Sequence, residues 1–99
     1  MLAEFSTIPV LKKDEGFSKY VAEALDIIAA SGLDYELTAM ATIVEGPADE
    51  IFALIRKVHD AMFEHSDRVL TNIRIDDRRD ASGRLKGKVK AVREKMKSS

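Results

Sequence analysis

Along this chain of 99 residues the spacing of apolar side chains switches repeatedly between steps of two and steps of three or four, and the order of those switches limits the fold more than any other feature. Residues 3 to 10 alternate, with Ala3, Phe5 and Thr7 on one face and Glu4, Ser6 and Ile8 on the other, as in a strand that Pro9 ends. From Phe17 the apolar positions are Phe17, Tyr20, Val21, Ala24, Leu25 and Ile28, which line one side of a helix. Ser18 is placed to cap its start, and Gly32 to close its end in a left-handed conformation. Tyr35 to Ala39 and Thr42 to Glu45 read as two strands reversing at Met40 and Ala41, without the Asn-Gly or Asp-Gly pair of the tightest hairpins. Gly46 and Pro47 break the pattern, Asp49 and Glu50 suit a helix's first turn, and Ile51, Leu54, Ile55, Val58 and Met62 form the stripe of a second helix reaching about His65. Arg68 to Ile75 alternates once more, and Leu85, Val89, Val92 and Met96 mark a terminal helix opened by Ser82 or Gly83.

Strand, helix, strand, strand, helix, strand is the split βαβ order of ferredoxin-like folds, an α+β class with a four-stranded antiparallel sheet. Right-handed crossovers place both main helices on one face, and the C-terminal helix is an addition. A single domain over residues 1–99 is expected, since a chain this short buries about 65% of its unfolded surface and builds one modest core. Sorting the strands by face sends Phe5, Tyr35, Leu37, Val69, Ile73 and Ile75 toward the helices. The other face receives Glu4, Ser6, Ile8, Glu36, Thr38, Met40, Leu70, Asn72 and Arg74, with Ile43 and Glu45 in the same register, and no helix of its own is expected there. Large apolar side chains among hydroxyls, amides and carboxylates suit a wet subunit interface or a ligand pocket. The alternative is a solvated face, but Ile8, Met40, Ile43 and Leu70 together would make an unusual bare patch.

Composition excludes several classes of function. Without cysteine there is no disulfide framework, thiolate metal site or thiol nucleophile. No apolar run nears the roughly 20 residues that span a bilayer, and the first ten residues lack the basic flank and apolar stretch of a signal peptide, so a cytoplasmic location is expected. Residues 1 to 80 carry 9 basic and 16 acidic side chains, whereas residues 81 to 99 carry 7 and 1. Such a basic tail can touch phosphate or an anionic membrane, but a solvated face or docking on its own acidic domain is the favoured reading.

No glycine-rich phosphate loop occurs. His59 and His65 stand six residues apart, which does not bring two imidazoles to one helical face, so no metal is expected and His59 reads as a packed or capping residue. Asp76-Asp77-Arg78-Arg79-Asp80 is the densest charge cluster. Neighbouring strand residues face opposite ways, so Asp76 and Asp77 cannot form the facing pair that acid–base catalysis uses, and ion pairing at a strand end is the expectation. An RNA-recognition role is disfavoured because the open face has no aromatic side chain on which bases could stack. No enzymatic activity, catalytic residue or cofactor is expected.

Ser6-Thr7-Ile8-Pro9, Ser18-Lys19-Tyr20-Val21, Gly32-Leu33-Asp34-Tyr35-Glu36-Leu37-Thr38, Thr42-Ile43-Val44-Glu45-Gly46, His59 and Ile75-Asp76-Asp77-Arg78-Arg79-Asp80 together resemble the small thiamine-binding protein family over nearly the whole chain. The resemblance implies a ferredoxin-like subunit, a homotetramer built as a dimer of sheet-mediated dimers, and binding of thiamine (vitamin B1) or its hydroxymethylpyrimidine moiety without turnover. Ala39-Met40-Ala41 departs from the Pro-Met-Gly usual in the family at that hairpin. An aminopyrimidine offers ring-nitrogen acceptors and an amine donor, and a thiazolium adds positive charge, so a carboxylate is its natural partner. The candidate ligand-binding residues are therefore Glu45 as that carboxylate, Ser6, Thr38 and Asn72 as neutral hydrogen-bonding groups, and Ile8 and Met40 as apolar walls. A regulatory or assembly module using the same sheet face, with no vitamin ligand, is the alternative.

Overall fold

The structure is a computed structural model that describes residues 1–13, 16–79 and 83–97. Strands β1 (Leu2–Pro9), β2 (Asp34–Leu37), β3 (Thr42–Glu45) and β4 (Val69–Asp76) alternate with helices α1 (Ser18–Ala30), α2 (Ala48–Ala61) and α3 (Arg84–Lys97), and a short 3-10 turn, Met62–Glu64, follows α2. The strands form one antiparallel sheet in the order β2-β3-β1-β4, the ferredoxin-like arrangement read from the sequence. Asp80 and the Ser82 proposed to open the last helix lie outside the described residues.

Each element follows from its local chemistry. In β1 every second residue is buried, starting at Ala3, because the strand is central and one face meets the helices. In α2 the Pro47 backbone is extended and leads into Asp49 and Glu50, whose charges complement the helix N-terminus, while Ile51, Leu54, Ile55 and Val58 are buried. Ser18 does not cap α1: the cap position is Phe17, whose carbonyl accepts from the Tyr20 and Val21 amides at 3.0 Å. Gly32 takes the left-handed conformation expected of it, with φ +78.

Ala3, Phe5 and Val44 from the sheet meet Ile28 of α1 and Ile51, Leu54, Ile55 and Val58 of α2 in one core. The helix-side assignment of Tyr35, Leu37, Ile73 and Ile75 holds in register, yet these four are 41–51% exposed. Two helices of 13 and 14 residues lie over the central strands and leave much of both edge strands uncovered. The core is therefore narrower than the alternation pattern implies.

Two expectations are corrected. β2 stops at Leu37, so Thr38, Ala39 and Met40 belong to the turn instead of a strand face. Thr38 causes this: its Oγ1 donates to the Ala41 carbonyl at 2.8 Å and accepts from the Ala41 amide at 3.1 Å, a local pattern that competes with the sheet ladder. The second sheet face also does have a helix. The Glu45 carboxylate accepts from the Arg84 amide at 2.7 Å and the Leu85 amide at 3.3 Å, anchoring the first turn of α3 beside β3. Burial is concentrated in that first turn: Leu85 is 8% exposed, whereas Val89, Val92 and Met96 are 44%, 58% and 68% exposed.

Candidate functional site

Unequal strand lengths create the site. All eight residues of β1 pair with β4, but only Leu2 to Phe5 pair with β3. Beyond Phe5 the Thr38–Ala41 turn has already reversed the chain, so Ser6 to Pro9 have no strand partner on that side. The vacant space is a cavity of about 420 Å³, roofed by α1 and α2 and bordered at its mouth by the turn. Phe5, Ile8, Val21, Ala24, Ile28 and Val58 supply apolar wall, while Ser6, Thr7, Thr38 and Thr42 supply hydroxyls. This lining explains why Phe17, on the apolar stripe of α1, is still 42% exposed: it borders open space instead of core. Few polar groups within a mostly apolar wall is the composition of small-molecule sites.

On the open face a shallower groove of about 330 Å³ adjoins the cavity, sharing Phe5, Ser6, Met40 and Ala41 with it. Glu4, Asn72 and Arg74 complete its polar floor, with the Arg74 guanidinium donating to Glu4 at 3.0 Å. The pair is exposed, so solvent limits its contribution to stability and leaves Glu4 free to exchange partners.

The six sequence candidates divide among these places. Ser6 and Met40 line both spaces, Ile8 and Thr38 line the cavity, and Asn72 lines the groove. Glu45 lies at the far end of β3, opposite Leu2, lines neither space, and holds the α3 amides. Thr7, Phe17, Val21 and Ala24 read from the sequence as a strand face or a helix stripe and not as a site. The only signal in the sequence that could have placed them there is the mismatch between a long β1 and a short β3.

Charge pairing reinforces α3 at the same end of the sheet. Asp76 accepts from Arg84 and from Lys88, the latter at 2.9 Å, which accounts for one side of the Asp76–Arg79 charge cluster as a strand-end clamp. The Arg84 hydrogen bond, then that from Lys88, lowers the Asp76 carboxyl from 3.8 to about 2. A carboxyl depressed by folding contributes stability that is complete above its unfolded value and disappears as pH falls through its folded one. The stability it contributes is therefore expected to fade between about pH 4 and pH 2, while in the folded protein the clamp itself releases as pH falls through about 2, read as a shift of the Arg84 and Lys88 side-chain resonances that Asp76→Asn abolishes. Resonances of these two residues that stay constant down to that pH would exclude the clamp.

The chain is a ferredoxin-like domain with an open sheet edge and a cavity under its β2–β3 turn, of a size and lining that a small molecule could fill. Residues 3–93 match the family described as thiamine-binding protein, and the chain belongs to that family. The UPF0045 protein YqgV of Bacillus subtilis is 38% identical over 96 residues, covering 92% of each chain. A Staphylococcus xylosus UPF0045 protein is 42% identical over 96 residues, 92% of this chain and 90% of its own. The crystal structure of the UPF0045 protein MJ1052 of Methanocaldococcus jannaschii matches with TM-score 0.84 and 35% identity, covering 94% of this chain and 95% of that one. A Thermotoga maritima protein named for thiamine biosynthesis or salvage shares the fold, with TM-score 0.75 at 18% identity over 89% of this chain and 95% of its own.

Proposed function

We propose that this protein binds thiamine or its hydroxymethylpyrimidine moiety without chemically changing it, and does so as a homo-oligomer. The observation that carries the reading is the cavity of about 420 Å³ beside the unpaired half of β1, which combines apolar walls for a flat heterocycle with hydroxyls for its nitrogens. The aminopyrimidine occupies this cavity against Ile8, Val21 and Ala24, with Ser6 at its mouth. The cationic thiazolium then extends past Met40 into the adjoining groove, where Glu4 supplies the carboxylate and Asn72 a neutral donor. Of the sequence candidates, this arrangement leaves out Glu45, whose carboxylate is engaged by α3, and gives Thr38 the task of shaping the cavity mouth. Membership of a family described as thiamine-binding supports the ligand class.

Oligomerisation is supported by β4, an eight-residue edge strand whose Leu70, Ile73 and Ile75 are 41–46% exposed. An edge of that length with apolar side chains favours pairing with a second copy, and a dimer of such dimers is the assembly proposed. The same edge would serve the alternative reading, an assembly module without a vitamin ligand. Among the described residues no helix is long and apolar enough to cross a membrane. The cytoplasm is the proposed location.

Thermal denaturation with thiamine, thiamine phosphates or hydroxymethylpyrimidine separates the two readings. Ligand held by the native state at a hundred times its dissociation constant stabilises by about 2.7 kcal/mol, a shift of several degrees for a domain of this size. An unchanged midpoint with all of these compounds, at concentrations up to the millimolar range, would leave only the assembly module.

A further inference from the structure

Behind the cavity wall a chain of hydrogen bonds crosses three elements. Thr7 of β1 and Thr71 of β4 are register partners on the helix side of the sheet, with their Oγ1 atoms 3.1 Å apart. His59 of α2 places Nδ1 2.6 Å from the Thr71 Oγ1. Thr7 is 8% exposed and lines the cavity. We propose that His59 sets the direction of this chain so that Thr7 presents its hydroxyl proton to the cavity, making that wall a donor for an unprotonated ring nitrogen. The inference rests on the cavity being the ligand site.

A hydroxyl has one proton, so two hydroxyls and an imidazole in series can be polarised in only two ways. With a proton on Nδ1, His59 donates to Thr71, Thr71 donates to Thr7, and the Thr7 proton remains for the cavity. With Nδ1 bare, every donor turns round and Thr7 shows the cavity only lone pairs. The geometry between the two hydroxyls matches the first direction, with the Thr71 Oγ1 as donor to the Thr7 Oγ1. Phe63 meets the imidazole edge-on, with ring centroids 5.4 Å apart, and holds its orientation. His59 acts through two other residues, so it is a positioning residue and Thr7 is the one that touches ligand.

The free protein answers the first part of the test. Nitrogen-15 NMR of the histidine rings is expected to show a proton on Nδ1 of His59, and a bare Nδ1 accepting from Thr71 overturns the inference whatever the ligand. Titration calorimetry with thiamine is the second part. Thr7→Val is expected to weaken binding about tenfold and Thr7→Ser by less than about threefold. His59→Phe, which keeps a ring beside Phe63, is expected to weaken binding about threefold in the otherwise unaltered protein and not at all when combined with Thr7→Val. Equal effects of His59→Phe in both backgrounds, or wild-type affinity in Thr7→Val, would overturn the inference while leaving the binding function in place. Absence of thiamine binding by the wild-type protein would instead remove the proposed ligand, with the direction of the chain still decided by the NMR measurement.

Discussion

Ala24→Trp is expected to reduce thiamine affinity at least a hundredfold while leaving the protein folded. Ala24 sits on the half-buried side of α1 that roofs the cavity, and no hydrogen bond depends on it. An indole there occupies space that the pyrimidine needs, and the two cannot share it. A hundredfold loss corresponds to about 2.7 kcal/mol, less than the total of a micromolar site at about 8 kcal/mol, so steric exclusion on this scale is readily accommodated. The helix itself loses only a few tenths of a kcal/mol in intrinsic preference, and new apolar contact with Phe5 and Ile28 offsets that. Circular dichroism establishes folding and calorimetry the affinity. Near-normal affinity in a folded Ala24→Trp protein would place the ligand elsewhere, with the open-face groove next in line.

The second large effect concerns stability. Ile51 is 0% exposed and packs among Ala3, Phe5, Ile28 and Val44, at the point where α1, α2 and the sheet converge. Truncation to alanine removes three carbons from a site that neighbouring elements on both sides prevent from collapsing, so a loss of about 2 to 5 kcal/mol is expected. For a domain whose total stability is of the order of 5 to 15 kcal/mol this is a large fraction. Urea unfolding at one fixed protein concentration should show a lower midpoint with an unchanged slope. A loss below about 1 kcal/mol would mean that the core is looser around α2 than its burial indicates.

Both effects arise from a narrow central core beside an unfilled space, and the sequence was informative about only one of these. The stripe Ile51, Leu54, Ile55, Val58 and Met62 was legible and every member is buried. The alternation in β1 was legible because the strand is central and its two faces differ sharply. Ile73 and Ile75 carried the same alternation but are exposed, since periodicity reports which way a side chain points and not whether anything lies above it. Ser6, Ile8, Thr38 and Met40 reached the cavity partly for a reason the pattern did not contain: the turn at Thr38 ends β2 early and opens the gap they border. Glu45 was singled out as an acid on the open face, and its position there is as read. What engages it, the start of a helix 39 residues further along the chain, left no trace in the local pattern.

By itself the sequence determined the kinds of element, their order and the orientation of each strand residue, because side-chain periodicity and turn chemistry act over a few neighbouring residues. Tertiary structure alone decided how much of β1 is left unpaired, which apolar residues are covered, and that Thr7, Thr71 and His59 stand in one hydrogen-bonded line. Those outcomes depend on distances between segments up to 64 residues apart, and such distances are set when helices of a given length are laid over a sheet of a given width.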